Sequence, residues 1–217
     1  MIRNYFTIAL RILMRQKIYS TINVLGLTTG ITASLLILLY VADELSYDRF
    51  HPDGDRIYRI NFNGKLQDSD MNTVEVGMPM AEALQKEVTG VEAVTRLDKW
   101  MTCPVRYEDK AFTEMNFLLA DSNFFNFFSY QLIAGNPKEA LRGPGKIVIS
   151  ERAAARYFNY KGSGDLSPLG KMLVIGSEGV ILAEVTGIAK DPPHNTHLHY
   201  DFLMSLPTSG YANNPVW

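Results

Sequence analysis

The chain has 217 residues, 47% of them hydrophobic, and its formal net charge of −2 hides a sharp asymmetry. Arg3, Arg11, Arg15 and Lys17 stand in a start without an acid, and all 23 acidic residues lie beyond Ala42. After Ala42, 17 basic residues face those 23 acids with no basic patch, which excludes nucleic acid as an expected partner.

Residues 1–17 read as an amphipathic helix. Arg3, Thr7, Arg11 and Arg15 recur every four residues and make one polar stripe, while Ile2, Phe6, Ala9, Leu10, Leu13 and Met14 fall elsewhere. Such a helix lies in the headgroup region, with Arg3, Arg11, Arg15 and Lys17 as membrane-surface residues toward anionic lipid. An ordinary cytoplasmic helical extension is the alternative.

From Ile18 to Ala42 no side chain is charged. The inner run Ile22–Ala42 extends about 31 Å as a helix, enough to cross a hydrocarbon core of about 30 Å. The basic flank places residues 1–17 in the cytoplasm and residues 43–217 in the periplasm of an inner (plasma) membrane protein, with 18–42 spanning. A cleaved signal peptide competes for this segment. Its apolar run would be shorter, and Tyr40-Val41-Ala42 is a poor cleavage site because Tyr40 is bulky. Within the span, Gly26, Gly30 and Ser34 repeat every four residues as a candidate helix-packing face.

Beyond the span the pattern predicts an α+β domain of mixed sheets and short helices. Tyr58, Ile60, Phe62 and Leu66 alternate as a strand from residue 56, Asp68-Ser69-Asp70 turn, and Val74, Val76 and Met78 return. Pro79 opens a helix that buries Met80, Ala83, Leu84 and Val88 and stops at Gly90. Strands are expected near 91–98, 103–107 and 112–119. Asp121 then caps a short helix whose Phe124, Phe125, Phe127 and Phe128 belong to the core. Gly143-Pro144-Gly145 breaks the chain before a strand at Ile147–Ile149, and Ser150 caps a helix to about Phe158. A loop over 162–170 leads to a hairpin of 171–176 and 180–189, turning at Gly176-Ser177-Glu178-Gly179. A last strand is expected to put Leu198, Tyr200, Phe202, Met204 and Leu206 on one face. Cys103, the single cysteine, reads as a small buried hydrophobe.

The search for chemistry returns little, so no enzyme and no cofactor is expected. Gly143-Pro144-Gly145-Lys146 is not a phosphate loop: Ala140 stands where the first glycine belongs, and Ile147 where a magnesium-binding hydroxyl belongs. His194, His197, His199 and Asp201 form the one candidate cluster. On a strand, residues 197, 199 and 201 would share a side and could hold a metal, although a polar strand face explains the same pattern.

Asn23-Val24-Leu25-Gly26-Leu27 with Gly30, and then Glu44-Leu45-Ser46-Tyr47-Asp48-Arg49-Phe50-His51, resemble the first membrane helix and the exit from it in MacB/FtsX-like ABC transporter permeases, in the style of Bacteroidetes-type members. Ala120-Asp121-Ser122-Asn123-Phe124-Phe125, Leu132-Ile133-Ala134-Gly135-Asn136-Pro137 and Ile149-Ser150-Glu151-Arg152 match the periplasmic core domain. Pro168-Leu169-Gly170-Lys171, Val185-Thr186-Gly187-Ile188 and Asp191-Pro192-Pro193-His194-Asn195-Thr196-His197-Leu198 continue in the same order.

The resemblance implies a permease subunit driven by a separate ATP-binding subunit. It also implies a permease homodimer or related permease, a periplasmic adaptor, and a porter-like domain with an inserted subdomain. It carries no catalytic residues. Because such permeases have further membrane helices, the chain is expected to be a fragment that does not transport alone. Two other readings fit less of the sequence: a single-pass periplasmic sensor or ligand-binding module, and an anchored metallohydrolase built on His194–Asp201.

Overall fold

The computed structural model describes residues 2–66, 69–100, 102–162, 164–177 and 180–212. Asp68, Glu178 and Gly179 of the expected turns lie outside them. The chain forms two compact units, residues 1–47 and 48–217.

The first unit holds α1 (Ile2–Arg15) and α2 (Lys17–Glu44). Gln16, at φ −104° and ψ 58°, interrupts the helix between them. α2 buries no residue, and among the described residues it is the one helix long and apolar enough to cross a membrane.

The second unit opens with a 3-10 turn over Gly54–Arg56, then β1 (Phe62–Leu66) and β2 (Ser69–Thr73), an antiparallel hairpin in register from Phe62↔Thr73 to Leu66↔Ser69. This corrects the expected strand from residue 56. Tyr58 and Ile60 precede the hairpin with no core beneath them, 79% and 41% exposed. Val74, Val76 and Met78 fall beyond its last pair. α3 (Met80–Glu87) comes next, with Met80, Ala83 and Leu84 half-buried and Val88 exposed outside it.

The remaining strands are β3 (Leu97–Trp100), β4 (Cys103–Tyr107), β5 (Lys110–Glu114), β6 (Phe117–Ala120), β7 (Leu132–Gly135), β8 (Lys146–Ser150), β9 (Met172–Ile175), β10 (Ile181–Ala189) and β11 (Phe202–Ser205). Among the described residues these form one sheet in the order β3-β6-β11-β8-β10-β9-β4-β5, with β7 on β10. β6 runs parallel to β11 and β8 to β10, and the other pairs are antiparallel. The domain is therefore α+β with a mixed sheet. β7 approaches β10 so closely that a Cβ on Gly135 would stand 2.5 Å from the Thr186 carbonyl oxygen, and φ +102° there also requires glycine.

One expected strand, 112–119, is two. Met115 and Asn116 carry the chain from β5 at one edge of the sheet to β6 near the other, and the Asn116 carbonyl accepts from the N–H groups of Asp201 and Phe202.

Both faces of the sheet centre are covered. Phe117, Leu119, Ile147, Ile149, Phe202 and Met204 face the layer built on α5 (Glu151–Phe158). Their neighbours Leu118, Ala120, Val148 and Leu203 face an aromatic layer of Phe124, Phe125, Phe128, Tyr130 and Tyr200 around α4 (Phe124–Phe127). Alternation with two covered faces produces the unbroken burial of β6, β8 and β11.

The final strand consequently differs from expectation. Leu198 and Tyr200 join the aromatic layer whereas Phe202, Met204 and Leu206 join the other, because residues 198–200 are not a strand and the chain bends at Asp201. Ser150 caps α5 as its spacing predicts, its Oγ accepting from the Ala153 N–H at 3.1 Å. The other end closes at Asn159 (φ 56°), where the Lys110 ammonium donates to the carbonyls of Arg156 and Tyr157 at 2.9 and 2.8 Å. Asp121 is not the cap of α4. Asn123 holds that position, while the Asp121 carboxylate accepts from Arg96 Nε and its terminal nitrogen at 2.9 and 2.8 Å. Arg96 also donates to the Ala212 carbonyl at 2.7 Å. A bidentate partner is worth more to this carboxylate than one backbone N–H. Cys103 is buried.

Candidate functional site at the Asp48 joint

Asp48 lies four residues beyond the end of α2 and has φ 55°, a left-handed conformation that aspartate tolerates better than most residues. Its N–H donates to the Asn195 carbonyl at 2.9 Å. Its Oδ1 accepts from the Thr196 hydroxyl at 2.6 Å and the His197 N–H at 3.3 Å, and its Oδ2 lies 2.6 Å from His197 Nδ1. Because Thr196 gives its one hydroxyl proton to Asp48, its oxygen accepts from the Tyr130 hydroxyl, 2.9 Å away. Thr196 and His197 thus converge on one carboxylate, with Tyr130 behind Thr196.

Burial pushes the Asp48 carboxyl up, but the bonds from Thr196 and His197 outweigh it and hold it below the ordinary value. Burial pushes the Tyr130 phenol up to about 12. His51 is seated among Phe50, Phe128 and Tyr130 with ring centroids 3.9, 5.4 and 5.3 Å away. Its Nδ1 accepts the Ser129 N–H at 3.1 Å, and burial lowers its affinity for a second proton. It is a neutral ring that fastens the segment after Asp48 to the aromatic layer.

The loop that receives Asp48 is itself anchored. Asp191 Oδ1 accepts the Arg152 N–H at 3.1 Å, in the first turn of α5. At the other end, buried Asp201 takes Ser150 Oγ at 3.0 Å, Arg152 Nε at 3.1 Å and Asn116 Nδ2 at 3.1 Å. The loop that holds Asp48 is thus pinned to α5 and the sheet on both sides of residues 195–197.

The structure separates the four residues of the candidate metal cluster. His197 pairs with Asp48 and Asp201 turns into the Ser150–Arg152 network, because residues 197–201 are not a strand and do not share a side. Among the described residues no three metal-ligating side chains gather. Arg11 and Arg15 are exposed on α1, Arg3 belongs to the same helix, and Lys17 begins α2. Gly26, Gly30 and Ser34 are exposed on α2, where a Cβ on either glycine would meet open space. Sequence reasoning missed Asp48. Its motif and the motif ending at Leu198 are both visible, but nothing in periodicity pairs residues so far apart.

These features describe a sheet domain knitted to the segment that leaves an apolar helix, the architecture of a membrane-anchored domain. Residues 20–216 match the MacB-like periplasmic core domain, and the chain belongs to that family. A domain of a protein designated a permease, from Porphyromonas gingivalis, is 29% identical with a TM-score of 0.64, over 77% of this chain and 70% of that one. The periplasmic region of MacB from Actinobacillus actinomycetemcomitans is 17% identical with a TM-score of 0.47, over 68% of this chain and 64% of that one. No curated protein matches. The likeness to MacB/FtsX-like permeases drawn from the motifs agrees with the family match.

Proposed function

We propose that the chain is the anchored permease part of an ABC transporter and that its work is mechanical. Residues 18–42 cross the inner membrane, residues 1–17 stay in the cytoplasm, and residues 43–217 stand in the periplasm. The family and the basic flank of the span support this orientation. A separate ATP-binding subunit supplies the motion, and a second permease copy or related permease packs against Gly26, Gly30 and Ser34. The periplasmic domain passes movement to cargo or to an adaptor, in export of the efflux or lipoprotein type.

The observation that carries the reading is the Asp48 joint. Asp48, in the segment that follows the span, is bonded to a loop that is pinned to α5 and the sheet, an arrangement suited to taking up movement of that segment.

Cysteine labelling in whole cells tests the placement. Tyr58→Cys, at an exposed site, reacts with a membrane-impermeant maleimide, whereas Asn4→Cys reacts only after lysis. The reverse pattern refutes it. Cys103 contributes little background, since it is buried and burial raises its thiol pKa.

A further inference from the structure

We propose that β5 is a pairing edge: two copies of the chain join their β5 strands antiparallel, so that one sheet runs through both periplasmic domains. This rests on the reading that two permease copies stand side by side in the membrane, which keeps their domains at high effective concentration.

β5 ends the sheet, and among the described residues it pairs with β4 alone. Its free groups follow from alternation along β4. The Pro104 carbonyl accepts the Gly176 N–H at 2.9 Å on the β9 side, so Val105 turns its backbone groups to β5, opposite Phe112. The N–H and C=O groups of Ala111 and Thr113 therefore point away from β4, where no described strand receives them.

Sheet edges are ordinarily blunted by charge, proline or a bulge. β3, at the other end, carries Asp98 and Lys99 in mid-strand, whereas the middle of β5 is Ala111, Phe112 and Thr113, all exposed. The Phe112 ring lies 5.4 Å from that of Tyr157 and 5.9 Å from the Arg156 guanidinium, yet Phe112 is 43% exposed. Aromatic and arginine side chains are enriched in interfaces.

Register selects a second copy as the occupant. With Phe112 opposite Phe112 of the second copy, Ala111 falls opposite Thr113, and each exchanges its free backbone bonds with the other. Lys110 falls opposite Glu114, so opposite charges face each other at both ends while the rings meet at the centre. Centring the pairing on Ala111 or on Thr113 instead sets Phe112 against Lys110 or against Glu114.

Cysteine crosslinking by copper phenanthroline, in membranes holding the full chain in a Cys103→Ala background, tests the pairing. Phe112→Cys is expected to give a dimer of twice the chain's mass, because non-hydrogen-bonded partners bring Cα atoms to about 4.5 Å, within a disulfide's reach. Ala111→Cys and Thr113→Cys each place the two thiols diagonally, with Cα atoms about 7–8 Å apart. Each is expected to crosslink roughly tenfold less alone than when the two variants are co-expressed. Thr113→Pro, whose missing N–H points outward and so spares the β4 ladder, abolishes crosslinking through Phe112→Cys and leaves urea unfolding of the domain cooperative. A monomer with Phe112→Cys, an adduct to a different protein in place of the dimer, equal crosslinking by all three single cysteines, or a dimer that survives Thr113→Pro overturns the proposal. Failure of the anchored-permease reading looks different: it reverses the maleimide pattern of Tyr58→Cys and Asn4→Cys, which loss of β5 pairing leaves as it is.

Discussion

Asp48 and His197, 149 residues apart in sequence, meet with carboxylate Oδ2 2.6 Å from imidazole Nδ1. His197 is 73% exposed, so its contact with the carboxylate contributes little, and the more buried bond from Thr196 to the same carboxylate contributes more. Asp48→Ala removes both and puts alanine at a left-handed φ, and is expected to destabilise the periplasmic domain by about 2 kcal/mol. Asp48→Asn keeps one acceptor oxygen and tolerates the conformation, with an expected cost of about 1 kcal/mol. Urea unfolding followed by Trp100 fluorescence measures both. Negligible loss in both variants would mean that the carboxylate is irrelevant.

The joint gives the domain two acid limbs. The unfolded chain protonates His51 at its ordinary value near 6.5, and the folded chain resists it, so stability is intact above that pH and falls as pH drops through the lower folded value. The Asp48 carboxyl is held below its ordinary value, so its contribution persists down to about pH 4 and is lost only in stronger acid. His51→Asn, which retains an acceptor for the Ser129 N–H, is expected to flatten the limb between pH 7 and 5. Thermal melts across that range decide it, and an unchanged slope argues against a neutral His51.

Two buried tyrosines should respond in opposite ways to loss of the hydroxyl. Tyr157 donates to Glu114 Oε1 at 2.8 Å, so Tyr157→Phe leaves a buried carboxylate short of a donor and costs about 2 kcal/mol. The Tyr200 hydroxyl is buried with no partner among the described residues, so Tyr200→Phe is expected to be neutral or stabilising by about 1 kcal/mol. Chemical denaturation of the two variants side by side checks the contrast.

The features legible in the sequence are those whose signals are local. The apolar run of α2, the Ser150 cap and the β9–β10 hairpin depend on neighbours within a few residues, and each is where its pattern puts it. The aromatic run at 124–128 likewise reads as core and is core. Asp121 misled because its local geometry suits a cap while its real partner, Arg96, is 25 residues away. The single-faced reading of residues 198–206 failed because residues 198–200 are not a strand and the chain bends at Asp201, which sends Leu198 and Tyr200 to the other layer from Phe202 and Met204. The Asp48 joint was invisible for the same reason that it matters: it is a long-range tertiary bond.

Gly26 and Gly30 meet open space on α2, so Leu at both positions is expected to leave the periplasmic domain folded while blocking close approach of another helix. Co-purification of tagged and untagged copies, and of the ATP-binding subunit, should fall several-fold. Undiminished recovery would assign the two glycines no packing role.

If Asp48 carries helix motion into the domain, its loss uncouples transport from ATP hydrolysis in the assembled transporter, and the two rates measured side by side report it. Asp48→Ala, compared with Asp48→Asn, is expected to leave ATP hydrolysis near its starting rate and to cut transport at least tenfold. Transport that persists in step with hydrolysis in Asp48→Ala would mean that Asp48 does not carry the motion.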